Sequence, residues 1–401
     1  MGKIRQLIFT REVALNVLTC ILWASMLLAF MRGIINHLPV LKDFTDEIEI
    51  AVVVIPLLFS LPLLANRYSV YDYLLMVLIP TIYLFNYCMY PVNQVPLEEY
   101  AFRCLCLVFP YYYLGRIIDI EKFFKIFTIL SAICIVMDIF YFLSYVQEAK
   151  HADEQIAGSY NMYAAYQVLP HVIMLIWASM RSFSIWKLAV AIIGVFLIIS
   201  FGTRGPLACI ACFTAVYFFF FMRFRYSSIV KASIIALLAL AVAFIREIAL
   251  WLYEYLGLMK MSTRIVEKFI MGNISNDSGR GDIKEILYER LNTDEPFWGY
   301  GLFGSQRYGI IYSHDITLDF LFSFGYFVGT LLLVGVVLLI VWAFVKSKNR
   351  FEREFVLFLV SVTIIKLFLS STFLFEPLFF LMIGFCLKIL LEDKCGYESS
   401  K

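Results

Sequence analysis

Arg204 and His314 are the residues whose type and setting in this chain could do chemistry. Arg204 lies in SFGTRGPL (200–207), where Gly202, Gly205 and Pro206 interrupt an apolar pattern. Such a turn is tight and leaves some backbone amides free. A guanidinium held there either presents its planar fork to a phosphate or caps a helical hairpin against lipid headgroups. His314 lies in YSHDITLDFLFSFGYFVG (312–329). An imidazole poised near neutral pH can act as a general base, although a lone histidine is also a common structural residue. Asp315 and Asp319, spaced i and i+4, could meet a cation. Just upstream, PFWGYGLFGS (296–305) has Gly299, Gly301 and Gly304 in a formal GxGxxG. That fingerprint needs a strand before it and a helix after it. Its flanks here are a polar helix and a loop, so the glycines serve a tight backbone path close to the membrane or a ligand.

The elements that must position these groups follow from composition. The 401 residues are 62% hydrophobic, 17% aromatic and 16% charged, with a mean hydropathy of +0.83. Soluble domains are about 45–50% apolar and about 25% charged. These values exclude a disordered chain and an ordinary soluble enzyme. A net charge of +2 excludes a nucleic-acid partner read from charge. Since one span takes about 20 apolar residues, the expected fold is an all-α polytopic membrane protein, a single integral domain over 1–401. Apolar runs place twelve helices at about 13–31, 50–65, 73–92, 101–118, 123–146, 160–180, 185–201, 206–222, 229–249, 320–345, 354–373 and 375–391. Lys and Arg concentrate on one side, for example Arg223, Arg225 and Lys231, and Lys346, Lys348, Arg350 and Arg353. The positive-inside rule makes that side, and both termini, cytoplasmic. One long extracytoplasmic loop, 250–319, interrupts the pattern between spans 9 and 10. It opens with an amphipathic stretch, 246–270, passes through GNISNDSGRG (272–281) and continues into DIKEILYERLN (282–292). In the last, Ile283, Ile286, Leu287 and Leu291 share a helical face, and Asp282 with Glu285 has the form of a capping box.

Ionisable residues inside spans are costly and therefore informative. Lys388 and Arg116 lie near cytoplasmic ends, where snorkelling satisfies them. Arg103 can snorkel or pair with Glu98 or Glu99. Asp138 and Lys366 lie deeper, as a structural pair or as functional groups, and His171, after Pro170, reads as a packing histidine. The nine cysteines behave as small hydrophobes. No HExxH, no close His/Cys/Asp cluster and no Walker motif is present, so neither a metal nor another cofactor is expected.

The order of these features resembles the O-antigen ligase and O-antigen polymerase superfamily. The matching stretches are SFGTRG with Arg204, SGRGDIKEIL with Arg280, Pro296 with Gly299 and Gly301, and His314 with Asp315 and Leu318, followed by Gly325 and Gly329. The family has Asn where this chain has Asp315. The motifs cover 200–329, and the first eight spans match in pattern only. The resemblance implies a GT-C fold with about twelve spans and inverting, metal-independent glycosyl transfer. The donor would be a glycan on undecaprenyl pyrophosphate, at the outer leaflet of a bacterial inner membrane. His314 would be the base, and Arg204 and Arg280 would stabilise the pyrophosphate leaving group. Arg280 would be helped by its place at a helix N-terminus. Gly299, Gly301 and Asp315 would contribute to substrate binding. Trp298 and Tyr300 would stack on sugars or sit in the interfacial aromatic belt. The implied partners are the lipid-linked glycan donor, a sugar acceptor, membrane lipid, and chain-length regulator and flippase proteins. A polymerase of repeat units is the leading expectation. A ligase passing a finished glycan to lipid A core or protein shares its chemistry, and a lipid-linked sugar transporter or flippase using Asp138, His171 and Lys366 is the alternative of another class.

Overall fold

The computed structural model describes residues 69–151, 161–222, 245–258, 263–271, 279–294 and 297–398, with positions 44, 47, 48 and 51. The expected spans at 13–31, 50–65 and 229–249 lie wholly or largely outside the described residues, as do most of 272–281 and Pro296. In chain order the helices are α1 (Val70–Met89), α2 (Gln94–Arg103, continued by a π-turn, Cys104–Val108), α3 (Tyr111–Ile117), α4 (Ile120–His151), α5 (Met162–Arg181), α6 (Ile185–Ser200) and α7 (Gly205–Val216, continued by a π-turn, Tyr217–Phe221). After these come α8 (Ile245–Leu258), α9 (Arg264–Ile270), α10 (Arg280–Asp294), α11 (Ile316–Lys346), α12 (Arg350–Val362), α13 (Ile364–Leu369) and α14 (Pro377–Glu398). No strand occurs among the described residues. Four helices, Val70–Met89, Ile120–Phe140, Met162–Arg181 and Ile316–Lys346, are long and apolar enough to cross a membrane.

The chain divides into two compact units, residues 1–125 with 279–401, and residues 126–278. The stretch 250–319 contributes to both units. Its first part, α8 and α9, belongs to the second unit. Its later part, from α10 onward, belongs to the first. Local packing explains this. Ala249, Leu256 and Val266 are buried against Phe196 and Ile199, whereas Leu287 and Leu291 are buried against Leu318 and Phe322.

In the first unit α3 and α14 pack backbone to backbone. A Cβ on Gly115 would lie 2.1 Å from the Leu381 carbonyl oxygen, and one on Gly384 would lie 2.0 Å from that of Tyr112. Glycines at such crossings let helices approach closely in lipid, where apolar burial alone does not join them. Beside this crossing Arg116 corrects the snorkelling expectation. Its guanidinium is buried and grips Asp72 with both ends, Nε to Oδ1 at 2.8 Å and Nη2 to Oδ2 at 3.0 Å. The Tyr112 hydroxyl donates to Asp72 Oδ1 at 2.6 Å, and Ser69 donates to Oδ2 from its amide and its hydroxyl, at 2.7 and 2.8 Å. Asp72 is thus both the capping-box residue of α1 and the counter-ion of α3. Lys388 also has a partner within the first unit. Its ammonium donates to the Ile118 carbonyl at 2.6 Å, just past the end of α3. Both cations have a polar partner within the first unit. Removing one member of a buried ion pair strands the other, at about 3–5 kcal/mol. Arg116→Leu is therefore expected to lower thermal stability in detergent by about that amount, and adding Asp72→Leu should recover part of the loss.

In the second unit, the Asn161 side chain caps α5 by accepting from the Ala164 amide at 3.0 Å. His171 is a packing residue there. It is buried, its Nδ1 lies 3.3 Å from the Ser131 hydroxyl, and its ring centroid is 5.4 Å from that of Phe127. Helix α8 buries one face and exposes an aromatic one, on which Trp251 and Tyr255 stack at 5.5 Å.

Candidate functional site

Helix α13 ends at Leu369, and the chain then runs through Ser370, Ser371 and Thr372 before α14 begins. Ser371 has φ +71. The interruption is anchored by an ion pair between Lys366 and the buried Glu376. Lys366 therefore has a partner of its own, and it is Glu376. The interruption also makes the Leu369 carbonyl available to other elements. Arg280 Nη1 donates to it at 2.7 Å, and the His314 ring hydrogen-bonds it as well. Two of the three residues expected to do the chemistry thus converge on one backbone oxygen.

Arg280 is the first residue of α10, which starts three residues earlier than the capping-box pattern indicated. Asp282 accordingly falls inside the first turn. Lys284, one turn further along α10, reaches Asp315, with Nζ 2.8 Å from Oδ2. Asp315 also N-caps α11, accepting from the amides of Thr317 and Leu318 at 2.9 and 3.4 Å. Asp315 and Asp319 have different partners. Asp319 is buried and bonds to Ser313, Oδ1 to the hydroxyl at 2.5 Å. Ser313, Asp319, Ser323 and Thr372 line a small cleft beneath the turn, together with Tyr312 and Phe322.

His314, between Ser313 and Asp315 in the chain, has φ +58, a conformation rare outside glycine. Its ring meets Tyr312 edge-on at 4.5 Å, and Nδ1 is buried with no hydrogen-bond partner among the described residues. Burial pushes the imidazole pKa down to about 4, and the charges of Arg280 and Lys284 push the same way. The hydrogen bond to Leu369 opposes them only in part. The imidazole is therefore neutral at pH 7, the form that accepts a proton.

The loop glycines have a different task. Helix α11 is broken at Gly325, which has φ +78 and ψ 172. The broken turn leaves the Phe322 and Ser323 carbonyls without helical partners. The amides of Tyr300 and Gly301 take them, at 2.7 and 3.1 Å. The two backbones can cross only because both lack side chains there. A Cβ on Gly325 would lie 2.1 Å from the Phe297 carbonyl oxygen, and one on Gly299 would lie 2.4 Å from the Gly325 nitrogen. Asn86 and Asn93 harness the rest of the loop. Asn86 Oδ1 accepts from the Leu302 amide at 2.8 Å, and Asn93 Nδ2 donates to the Tyr300 and Leu302 carbonyls at 2.8 and 3.0 Å.

The amides of Tyr300, Gly301 and Leu302 are thus committed to the protein. Tyr300 packs within the protein: it is 7% exposed, stacks on Phe322 at 4.3 Å, and its hydroxyl donates to the Arg290 carbonyl at 3.1 Å. Trp298 differs: it is 66% exposed and meets the equally exposed Phe297 edge-on at 4.9 Å.

Arg204 belongs to the second unit. It directly precedes α7, after Gly202 at φ +73 and the buried Thr203, and Pro206 occupies the first turn. The turn is as tight as its composition indicates. Arg280, His314 and Asp315 gather at one place in the first unit, while Gly299, Tyr300 and Gly301 seal the break in α11.

Lys284, Ser313, Asp319 and the Leu369 carbonyl are the parts of the site that sequence reasoning did not find. Lys284 was detectable, since it lies four residues after Arg280 on the same helical face. The break after Leu369 left a trace in Ser370, Ser371 and Thr372, a polar run inside an apolar stretch. No family model, curated protein or solved structure matches the chain.

Proposed function

We propose that this chain is a membrane glycosyltransferase, a polymerase of undecaprenyl-pyrophosphate-linked oligosaccharide repeat units. It would have about twelve spans of GT-C type, both termini in the cytoplasm, and its site at the outer face of a bacterial inner membrane. The observation that carries this reading is the convergence of Arg280 and a neutral His314 on the Leu369 carbonyl, with Lys284 one helical turn away. An acceptor sugar hydroxyl attacks the anomeric carbon of the donor glycan. The bond from that carbon to the pyrophosphate oxygen breaks, and its electron pair leaves with the pyrophosphate. His314 takes the hydroxyl proton, and a single displacement inverts the anomeric centre. Arg280 and Lys284 stabilise the departing anion, far more strongly in a poorly hydrated site than in water. The donor's own charge also tunes the base. Pyrophosphate against Arg280 and Lys284 offsets the cations that depress His314, so the imidazole gains basicity as the donor binds.

The deciding experiment supplies the purified full chain with lipid-linked repeat units alone. A ladder of products is expected. Product formed only when lipid A core is added would make the chain a ligase. Translocation of the lipid-linked sugar with no new glycosidic bond would make it a transporter. A pH profile tests the tuning. Protonated His314 cannot accept a proton, so kcat/KM is lost as pH falls through the free-enzyme pKa. That limb is expected near pH 4 in the unmodified chain. Lys284→Gln removes one depressing charge and frees Asp315 from its ion pair. Its limb should therefore move up towards about 6.5, the ordinary histidine value. An unmoved limb would exclude His314 as the titrating base.

A further inference from the structure

The backbone of His314 needs an explanation that its own contacts do not supply. A non-glycine residue at φ +58 persists only where its surroundings over-determine it. The surroundings here trace to one side chain. Asp319 Oδ1 accepts the Ser313 hydroxyl at 2.5 Å, and the Ser313 amide lies 3.4 Å from the same oxygen. The Ser313 hydroxyl oxygen in turn accepts from the Asp315 amide at 3.1 Å and lies 2.8 Å from the Asp315 carbonyl oxygen. Both flanks of His314 are therefore tied to one carboxylate. Asp319 is itself held on the first turn of α11, its amide donating to the Asp315 carbonyl at 2.9 Å. Asp319 and Ser313 are both buried, so water does not compete for these bonds.

We infer that Asp319 is the positioning residue of His314. Its carboxylate clasps Ser313 and, through it, Asp315. The clasp holds the left-handed backbone that aims the imidazole at the Leu369 carbonyl beside Arg280. Asp319 touches no substrate in this scheme. Its catalytic consequence rests on the glycosyltransferase reading, whereas its hold on His314 does not.

Two measurements on the purified full chain separate the parts of this inference. The first needs no activity. Carbethoxylation of His314 by diethyl pyrocarbonate, followed by peptide mass spectrometry, reads how well the ring is held. Asp319→Ala is expected to speed modification of His314 by about tenfold and leave His171, in the second unit, unchanged. Asp319→Asn keeps the shape and one accepting oxygen, so it should stay within about threefold of the parent. Equal rates in the parent and Asp319→Ala, or a parallel rise at His171, overturn the positioning role. The second measurement is glycan extension from undecaprenyl-pyrophosphate-linked repeat units. A displaced catalytic group costs up to about 10²-fold. Asp319→Ala should lower kcat by about 10–10²-fold with donor KM within twofold. In the His314→Ala background it should cost nothing more. Multiplying losses would show that Asp319 does not act through His314. If the parent extends no glycan, the functional reading fails, and the modification rates still decide whether Asp319 holds the ring.

Discussion

His314→Ala is expected to slow glycan extension by about 10²–10⁴-fold, the usual contribution of a general base, while the chain still folds and reaches the membrane. The structure separates these outcomes. The side chain makes one hydrogen bond, to Leu369, and one edge contact, to Tyr312, and its Nδ1 is unpartnered among the described residues. Its removal empties little core. A smaller residue still has to accept φ +58, so His314→Gly is the companion variant, since glycine adopts that conformation without strain. Both variants should show the same loss of kcat, and the glycine variant should be at least as stable as the alanine one. Lipid-linked repeat units followed on a gel, with thermal unfolding of the same preparations, make the comparison. Full activity in both variants would remove His314 from the mechanism.

Gly325→Ala should have the largest effect on the structure itself. An alanine Cβ at this position would lie 2.1 Å from the Phe297 carbonyl oxygen and 2.8 Å from the Gly299 nitrogen. Both are backbone atoms, so no side-chain rotation relieves the clash. The backbone is also left-handed there, at φ +78, which costs about 1–2 kcal/mol for a non-glycine residue. Overpacking adds about 1–3 kcal/mol, giving a total of about 2–5 kcal/mol. The hydrogen bonds from Tyr300 and Gly301 to Phe322 and Ser323 would break with the crossing. Gly335, further along α11, is the control. A Cβ there meets nothing within 4 Å, so Gly335→Ala should be neutral or stabilising by up to about 1 kcal/mol. Thermal unfolding of the two variants in one detergent checks the contrast. Equal melting temperatures would mean that the loop does not cross the break as described.

Much of the helical scaffold was legible because hydropathy and helix-breaking residues act locally. The runs expected at 160–180, 185–201 and 206–222 appear as α5, α6 and α7 within a few residues. The run at 320–345 appears within α11, but its break at Gly325 did not show. A glycine inside an apolar stretch reads the same whether the helix continues or stops, and here the crossing loop decides. Arg116 was misjudged for a similar reason. Its counter-ion, Asp72, lies 44 residues earlier and just outside the expected span. The site residues Arg280, His314 and Asp315 were legible as types in a fixed order. That Tyr300 stacks on Phe322 was not legible, because an aromatic beside glycines has no local sign of its partner.

By itself the sequence determined the solvent and the period of this protein. A chain so apolar must satisfy its backbone internally, and among the described residues it does so with helices. The types of its reactive groups were also written there. Only the tertiary structure decided what those groups meet. Arg280 reaches a carbonyl 89 residues away, and the loop that closes the break in α11 is harnessed by Asn86 and Asn93, more than two hundred residues earlier. Pairings of that length depend on where the helices end and cross. Those points are set by backbone approaches between glycines and by breaks whose freed carbonyls need donors, and the partners of both lie far away along the sequence.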